Sequence, residues 1–209
     1  MKLDRLASGA GEPASPSDTK QSVSHSAALD QTSVGQHTSH EDGRLISSGR
    51  TALTLTINRD SVTLFVDPSI TLVEVLRREM HLTGTKVGCD RGACSSCTVW
   101  IDGEVAASCM TFALDARGKE VTTIEGLART EKLHPVQRAF IEHDAMQCGF
   151  CTPGMVMSCA ALLKHNPNPG LDHIKKAISG HLCRCGTYNN VFKAVMSVSG
   201  ASGIEKSNV

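Results

Sequence analysis

The chain has 209 residues, of which 21 are Lys or Arg and 21 are Asp or Glu, so its formal net charge is zero. This balance excludes an overall positive field for nucleic acid or anionic lipid and argues against a nucleic-acid-binding protein. No uninterrupted apolar run reaches the roughly 18 residues that a membrane-spanning helix requires, and the 3% content of aromatic residues predicts small aliphatic cores.

The first 50 residues contain no aromatic residue and no cysteine and are rich in Ser, His, Gly, Asp and Thr. Such a segment buries too little apolar area to offset the entropy lost on ordering, so residues 1–50 are predicted to be a disordered extension. Its histidines are better explained as part of a solvated tail than as a metal site (His25, His37 and His40). The start "MKLDRLASGAGEP" has neither the hydrophobic core nor the adjacent arginine pair of an export signal, which favours a cytoplasmic location.

Residues 51–124 are predicted to form a small α+β domain. Apolar residues alternate in "TALTLTI" and "SVTLFVD" on either side of the turn "NRD", which predicts a hairpin with one buried face. Thr71 and Glu74 have the spacing of a capping box that opens the helix "TLVEVLRREM". Short strands are predicted at "CTVWIDG", "EVAAS" and "KEVTTI".

Residues 125–200 are predicted to be helical. Four helices are expected, at "HPVQRAFIEHDA", "TPGMVMSCAALLKHN", "LDHIKKAISG" and "NNVFKAVMSV". Thr152 and Pro153 are predicted to be the N-cap and first residue of the second helix, and Gly180 the C′ residue of the third. Four short helices predict a small bundle, followed by a C-terminal tail at residues 201–209.

All nine cysteines lie between Cys89 and Cys185. An odd number without a recognisable export signal fits a disulfide framework poorly. In the reducing cytoplasm, clustered cysteines more often bind metal, so the sequence predicts a metal-binding protein.

The first cysteine set lies in "GCDRGACSSC", where Cys89, Cys94 and Cys97 have C-x4-C-x2-C spacing, and Cys109 follows after eleven intervening residues. This is the spacing of plant-type [2Fe–2S] proteins, in which one loop supplies three thiolates and a distant segment the fourth. Zinc is the alternative, but C-x4-C is not the commonest zinc spacing. Two glycines are predicted to adopt positive φ and to bring backbone N–H groups toward the sulfurs (Gly88 and Gly92).

The second set consists of Cys148 and Cys151 in "QCGFCTPG" and Cys183 and Cys185 in "HLCRCGTY". Its C-x2-C and C-x-C pairs do not by themselves distinguish a zinc site from an iron–sulfur cluster. Cys148 and Cys151 precede a predicted helix N-terminus, which favours an anionic cluster of thiolates, as does Arg184 beside the other pair. Cys159 is left over in an apolar helical stretch and is predicted to be a buried structural thiol.

The motifs "GCDRGACSSC", "QCGFCTPGM" and "SGHLCRCGTY", in this order, resemble the two-cluster iron–sulfur subunit of the xanthine dehydrogenase and aldehyde oxidoreductase family of molybdenum hydroxylases. The resemblance covers residues 51–198. It implies a β-grasp ferredoxin domain followed by a four-helix-bundle domain, each holding one [2Fe–2S] cluster. It also implies electron transfer from molybdopterin in a large subunit to FAD in a separate subunit. No residue of this chain would then touch the substrate.

Within that resemblance Gln147 corresponds to a pterin contact, and Cys185 to a ligand beside the pterin amino group. The chain departs from the family pattern at Ser95, where Gly is usual, and at His181, where Asn is usual. Ser95 is expected either to strain a positive-φ position or to donate a hydrogen bond to a cluster sulfur, in which case Ser95→Gly would lower a midpoint potential. His181 is expected at the surface. Two alternatives stay open: a free-standing two-cluster carrier or sensor, and a zinc-stapled interaction module.

Overall fold

A computed structural model of the chain describes residues 49–128 and 132–200. The predictions of a disordered extension and of a C-terminal tail concern segments that lie outside the described residues, apart from positions 49 and 50. The described residues belong to one compact unit.

The alternating apolar pattern after residue 50 folds as the predicted hairpin. Strand β1 (Thr51–Ile57) pairs antiparallel with β2 (Asp60–Val66), in register from Thr51↔Val66 to Ile57↔Asp60. Period-two alternation places Leu53, Leu55 and Ile57 on the same face of β1, and all three are buried.

The hairpin is one side of a five-stranded mixed sheet. The other strands are shorter than predicted by up to three residues: β3 (Thr98–Ile101), β4 (Glu104–Ala107) and β5 (Glu120–Thr122). The strand order is β2-β1-β5-β3-β4. Strand β5 pairs parallel with β1 and antiparallel with β3, whereas β3 and β4 form a second hairpin. A mixed sheet accompanied by helices confirms the predicted α+β class.

The helix predicted after Thr71 is present, but only its first part is α-helical. Its capping box is confirmed, and α1 (Leu72–Glu74) continues as a π-helical turn at Val75–Glu79. The turn is wider because the Met80 N–H donates to the Val75 carbonyl, five residues back, at 3.0 Å.

The four predicted helices of the second half are all confirmed: α3 (Pro135–Glu142), α4 (Thr152–His165), α5 (Leu171–Ala177) and α6 (Tyr188–Val198). A one-turn helix, α2 (Ile124–Leu127), precedes them and was not predicted. Helix α3 packs against α4 and α6, and α5 packs against the same two helices.

Two predicted helix ends are wrong by one residue. Cys151, and not Thr152, is the N-cap of α4, because its carbonyl accepts the Met155 N–H, the first hydrogen bond of the helix. Helix α5 ends at Ala177 with Ile178 as its C-cap, so Gly180 lies one residue beyond the C′ position, although it does have a left-handed φ of +93°.

Buried residues form two main cores, one beneath the sheet and one among the helices. Trp100 of β3 joins them, since its ring packs against the helical core and its indole N–H donates to the Met157 carbonyl of α4 at 3.0 Å. A domain boundary near residue 124 stays a prediction. No helix among the described residues is long and apolar enough to cross a membrane.

Candidate metal centres

The first three cysteines of the first set lie in the loop between α1 and β3. The Ala93 N–H donates to Cys89 Sγ at 3.1 Å, and the N–H groups of Arg91 and Cys94 also point at this sulfur. Hydrogen bonds led by that of Arg91 lower the pKa of Cys89 to about 7, so the thiol is partly ionised at neutral pH. The loop therefore favours a thiolate at Cys89.

The fourth cysteine is brought to this loop by the β3–β4 hairpin. Cys97 precedes β3 and Cys109 follows β4, and the carbonyl of Cys97 accepts both the N–H and the hydroxyl of Ser108, at 3.3 and 2.6 Å. Both cysteines are buried against Val73 of α1. Burial, and then donation of its S–H to Cys97, raise the pKa of Cys109 to about 11.

The two glycines of this loop have different roles. Gly92 has a φ of +72° and directs its N–H at Cys109, as predicted. The prediction of positive φ at Gly88 is wrong. Gly88 is needed for close approach instead, because a Cβ there would lie 3.0 Å from Cys94 Sγ and 3.4 Å from the Phe150 ring.

The second cysteine set is assembled from the start of α4 and the loop between α5 and α6. Tyr188 holds that loop, since its hydroxyl accepts the Cys183 N–H at 2.8 Å and donates to the His181 carbonyl at 2.8 Å. The His181 ring then ties the loop to α4 through Nε2, which lies 3.1 Å from the Gly154 carbonyl and 3.0 Å from Ser158 Oγ.

The thiols of the second set differ in their ionisation. Burial, and then its contact with Cys183, raise the pKa of Cys151 to about 12. Burial also acts to raise the pKa of Cys183, but hydrogen bonds from the hydroxyl and N–H of Thr187 and from the Cys185 N–H bring it to about 7. Cys89 in the first set and Cys183 in the second are therefore thiols that ionise near neutral pH.

In both sets the thiols meet two by two. Cys94 pairs with Cys89 and Cys109 with Cys97, while Cys151 pairs with Cys183 and Cys185 with Cys148. Across the described residues, no three His, Cys, Asp or Glu side chains are grouped as ligands of one metal ion. Pairs of thiols within a set of four fit a two-iron rhomb, because each iron takes two cysteine ligands, and the N–H donors around the sulfurs suit its negative charge.

The two sets are linked by backbone contacts. The Leu182 N–H, one residue before Cys183, donates to the Cys94 carbonyl at 3.2 Å. Gly154, in the first turn of α4, lies so close to Ser95 that a Cβ would overlap the Ser95 carbonyl oxygen. The loop of the first set therefore packs directly against α4 and against the loop that carries Cys183.

Three other sequence predictions can be compared with the structure. His181 is buried (6% exposed) rather than at the surface, because its ring fills the space between its loop and α4, and burial lowers its pKa. Cys159 is confirmed as a buried thiol, whose pKa burial raises to about 12. Gln147 and Arg184 are exposed, and Arg184 forms no ion pair within the described part of the chain.

Ser95 has the predicted positive φ, at +56°, but its hydroxyl forms no hydrogen bond with a sulfur. Ser95→Gly is accordingly expected to raise the free energy of unfolding by up to about 1 kcal/mol, because glycine adopts this conformation without steric cost. Denaturant unfolding measures this change. Both midpoint potentials are expected to stay unchanged in a redox titration, and a lowered midpoint would show that the hydroxyl does act on a sulfur.

Sequence reasoning missed Ser96 and Thr187, whose hydroxyls lie beside Cys94 and Cys183 at 3.5 and 3.4 Å. It also missed Tyr188 as the residue that holds the second loop. Their closeness in the sequence to the predicted ligands could have indicated them, since all three residues lie within five positions of such a cysteine.

Comparison with known proteins gives two matches to protein families. Residues 55–128 match the family described as a 2Fe-2S iron-sulfur cluster binding domain, and residues 123–196 match that described as a [2Fe-2S] binding domain. The two matched segments cover one cysteine set each.

The chain also resembles individual proteins over about three quarters of its length. The chain is 42% identical to the iron–sulfur-binding subunit of aldehyde oxidoreductase from Escherichia coli (strain K12), over 71% of each protein. It is 40% identical to the nicotine 6-hydroxylase small subunit of Paenarthrobacter nicotinovorans, over 75% of this chain and 94% of that subunit. Among solved structures, a chain of quinoline 2-oxidoreductase from Pseudomonas putida 86 aligns with a TM-score of 0.73 and 40% identity, over 78% of this chain and all of that one.

Proposed function

Since the chain belongs to the family of two-cluster iron–sulfur subunits of molybdenum hydroxylases, we propose that it transfers electrons between the molybdopterin centre of a large subunit and a separate acceptor. The observation that carries this proposal is the gathering of eight cysteines into two sets of four in one compact unit. Under this proposal the protein is a subunit of an oxidoreductase, and the substrate reacts in another chain of the complex.

In this proposal one [2Fe–2S] cluster is held by Cys89, Cys94, Cys97 and Cys109, and a second by Cys148, Cys151, Cys183 and Cys185. When bound, such a cluster accepts and releases one electron at a time. The chain's own residues supply thiolates, N–H donors and burial, and they hold the two sites against each other through Leu182 and Gly154.

We place the large subunit against the second set. Cys148 and Cys185 are exposed, and their neighbours in the sequence include Gln147 and exposed apolar residues (Met146, Phe150 and Leu182). Exposed apolar residues around a redox site suit a protein interface. Gln147 would reach the pterin there. An FAD-containing subunit would receive electrons from the first set.

The two-domain description remains part of this proposal. A β-grasp ferredoxin domain up to residue 124 is supported by the mixed sheet and by the family matches, which meet at residues 123–128. A four-helix-bundle domain at residues 125–200 is supported by the mutual packing of α3, α4, α5 and α6. The cytoplasmic location stays a prediction.

A free-standing carrier or sensor is the alternative function, and the family relationship does not favour it. Purification of the tagged full-length protein from its native host distinguishes the two. We expect a stable complex with molybdenum- and flavin-containing chains, and about four irons and four sulfides on each copy of this chain. A monomer with the same iron content would support the free-standing carrier. Metal analysis that finds zinc in place of iron would indicate the third alternative, an interaction module held together by zinc.

A further inference from the structure

One hydroxyl group lies beside a cysteine sulfur in each set. Ser96 Oγ is 3.5 Å from Cys94 Sγ in the first set, and Thr187 Oγ1 is 3.4 Å from Cys183 Sγ in the second. Both distances fall within the range for hydrogen bonds to sulfur, and both hydroxyls belong to residues two to four positions from their cysteine.

The Ser96 side chain is 4% exposed, so water has little access to its hydroxyl. In the structure the Cys94 thiol donates to this hydroxyl. A cysteine that binds iron has lost its proton, and the direction must then reverse, so that the Ser96 O–H donates to the Cys94 sulfur. A buried hydroxyl without this partner would be costly.

The position of Thr187 makes its contact with sulfur more informative. Thr187 is the N-cap of α6, where a threonine hydroxyl ordinarily accepts a backbone N–H of the first helical turn. Here the Thr187 side chain makes no capping hydrogen bond and is directed at Cys183 instead. The helix thus forgoes a capping interaction, and the hydroxyl is left to act on the sulfur.

The two cysteines involved are those nearest in the chain to the backbone hydrogen bond between the sets. The Cys94 carbonyl accepts the N–H of Leu182, the residue before Cys183. The hydroxyls therefore act on the ligands at the two ends of the shortest backbone connection that the structure shows between the sites.

We propose that Ser96 and Thr187 are potential-setting residues, each of which raises the reduction potential of one cluster through a hydrogen bond to a single ligand. The proposal rests on the proposed function, since it requires a cluster in each set. An added electron places more negative charge on the sulfurs, and a donor hydroxyl stabilises that charge. Loss of the donor disfavours the reduced form.

The test is a redox titration of the purified complex, in which each cluster's paramagnetic signal is followed separately. Thr187→Val keeps the shape of the side chain without its hydroxyl, and we expect about a tenfold shift of one reduction equilibrium toward the oxidised form, or about 59 mV for one electron. Ser96→Ala is expected to shift only the other equilibrium. Thr187→Ser retains the hydroxyl and should leave both midpoints unchanged.

A matched control is Thr63→Val in the exposed strand β2, where the hydroxyl pairs with Thr54 at 2.9 Å and far from either set in the sheet order. This variant should change neither midpoint. If the Thr187→Val variant loses iron, Thr187→Ala is measured instead, and we expect it to lower the same midpoint potential.

Two results would overturn the inference: variants that retain both clusters but leave their midpoints where they were, or a Thr187→Ser variant that shifts as far as Thr187→Val. A wild-type protein without two iron–sulfur signals would instead refute the proposed function, so the two failures are distinguishable.

Discussion

Replacement of Cys151 by alanine is expected to reduce the iron content of the chain by half, from about four to about two irons, and to abolish one of two paramagnetic signals. Cys151 is buried, lies at the N-cap of α4 and donates its S–H to Cys183, so its loss removes one thiolate from the pair that would bind one iron. The first set shares no cysteine with the second and should keep its cluster. Iron analysis and spectroscopy after dithionite reduction measure both effects.

The ninth cysteine provides the matched control, because Cys159 lies in the helix that Cys151 caps and is also buried. Cys159→Ala should retain about four irons, with a stability loss of about 1 kcal/mol from the small cavity. A protein that keeps all its iron after Cys151→Ala, or loses half of it after Cys159→Ala, would contradict the ligand assignment.

Substitution of Gly154 by alanine is expected to destabilise the fold by about 1–3 kcal/mol, since the added methyl group would overlap backbone atoms of Ser95. The nearest atoms to the added methyl group belong to the backbone of residues 95 and 96, so no flexible side chain can move aside to make room. The loop that carries Cys94 would be pushed away from α4, and the hydrogen bond between Leu182 and Cys94 would be lengthened. Denaturant unfolding gives the loss of stability, and electron transfer between the clusters should become slower.

Gly118→Ala serves for comparison, because Gly118 has open space around its Cα but a φ of +72°. It should cost about 1 kcal/mol through backbone strain alone and leave the rate of transfer between clusters unchanged. If the two variants behave alike in both measurements, the close approach of Gly154 to Ser95 has no role in seating the first loop.

Local pattern was sufficient for much of the fold. Alternation with period two located the first hairpin, and apolar periodicity located α3, α4, α5 and α6, because each signal lies within one element and reflects one buried face. Helix ends were less accurate. The N-cap at Cys151 and the π-helical turn after Glu74 depend on backbone conformations that single residue types do not specify.

Sequence alone predicted which cysteines belong to each set, from the spacing within each motif and from the resemblance to a known family. Tertiary structure decided how those thiols pair, that His181 is buried against α4, and that Ser96 and Thr187, rather than Ser95, place a hydroxyl beside a sulfur. The physical reason is that these contacts depend on side-chain direction. A φ of +56° at Ser95 changes the direction of the chain, and His181 reaches a carbonyl 27 residues away.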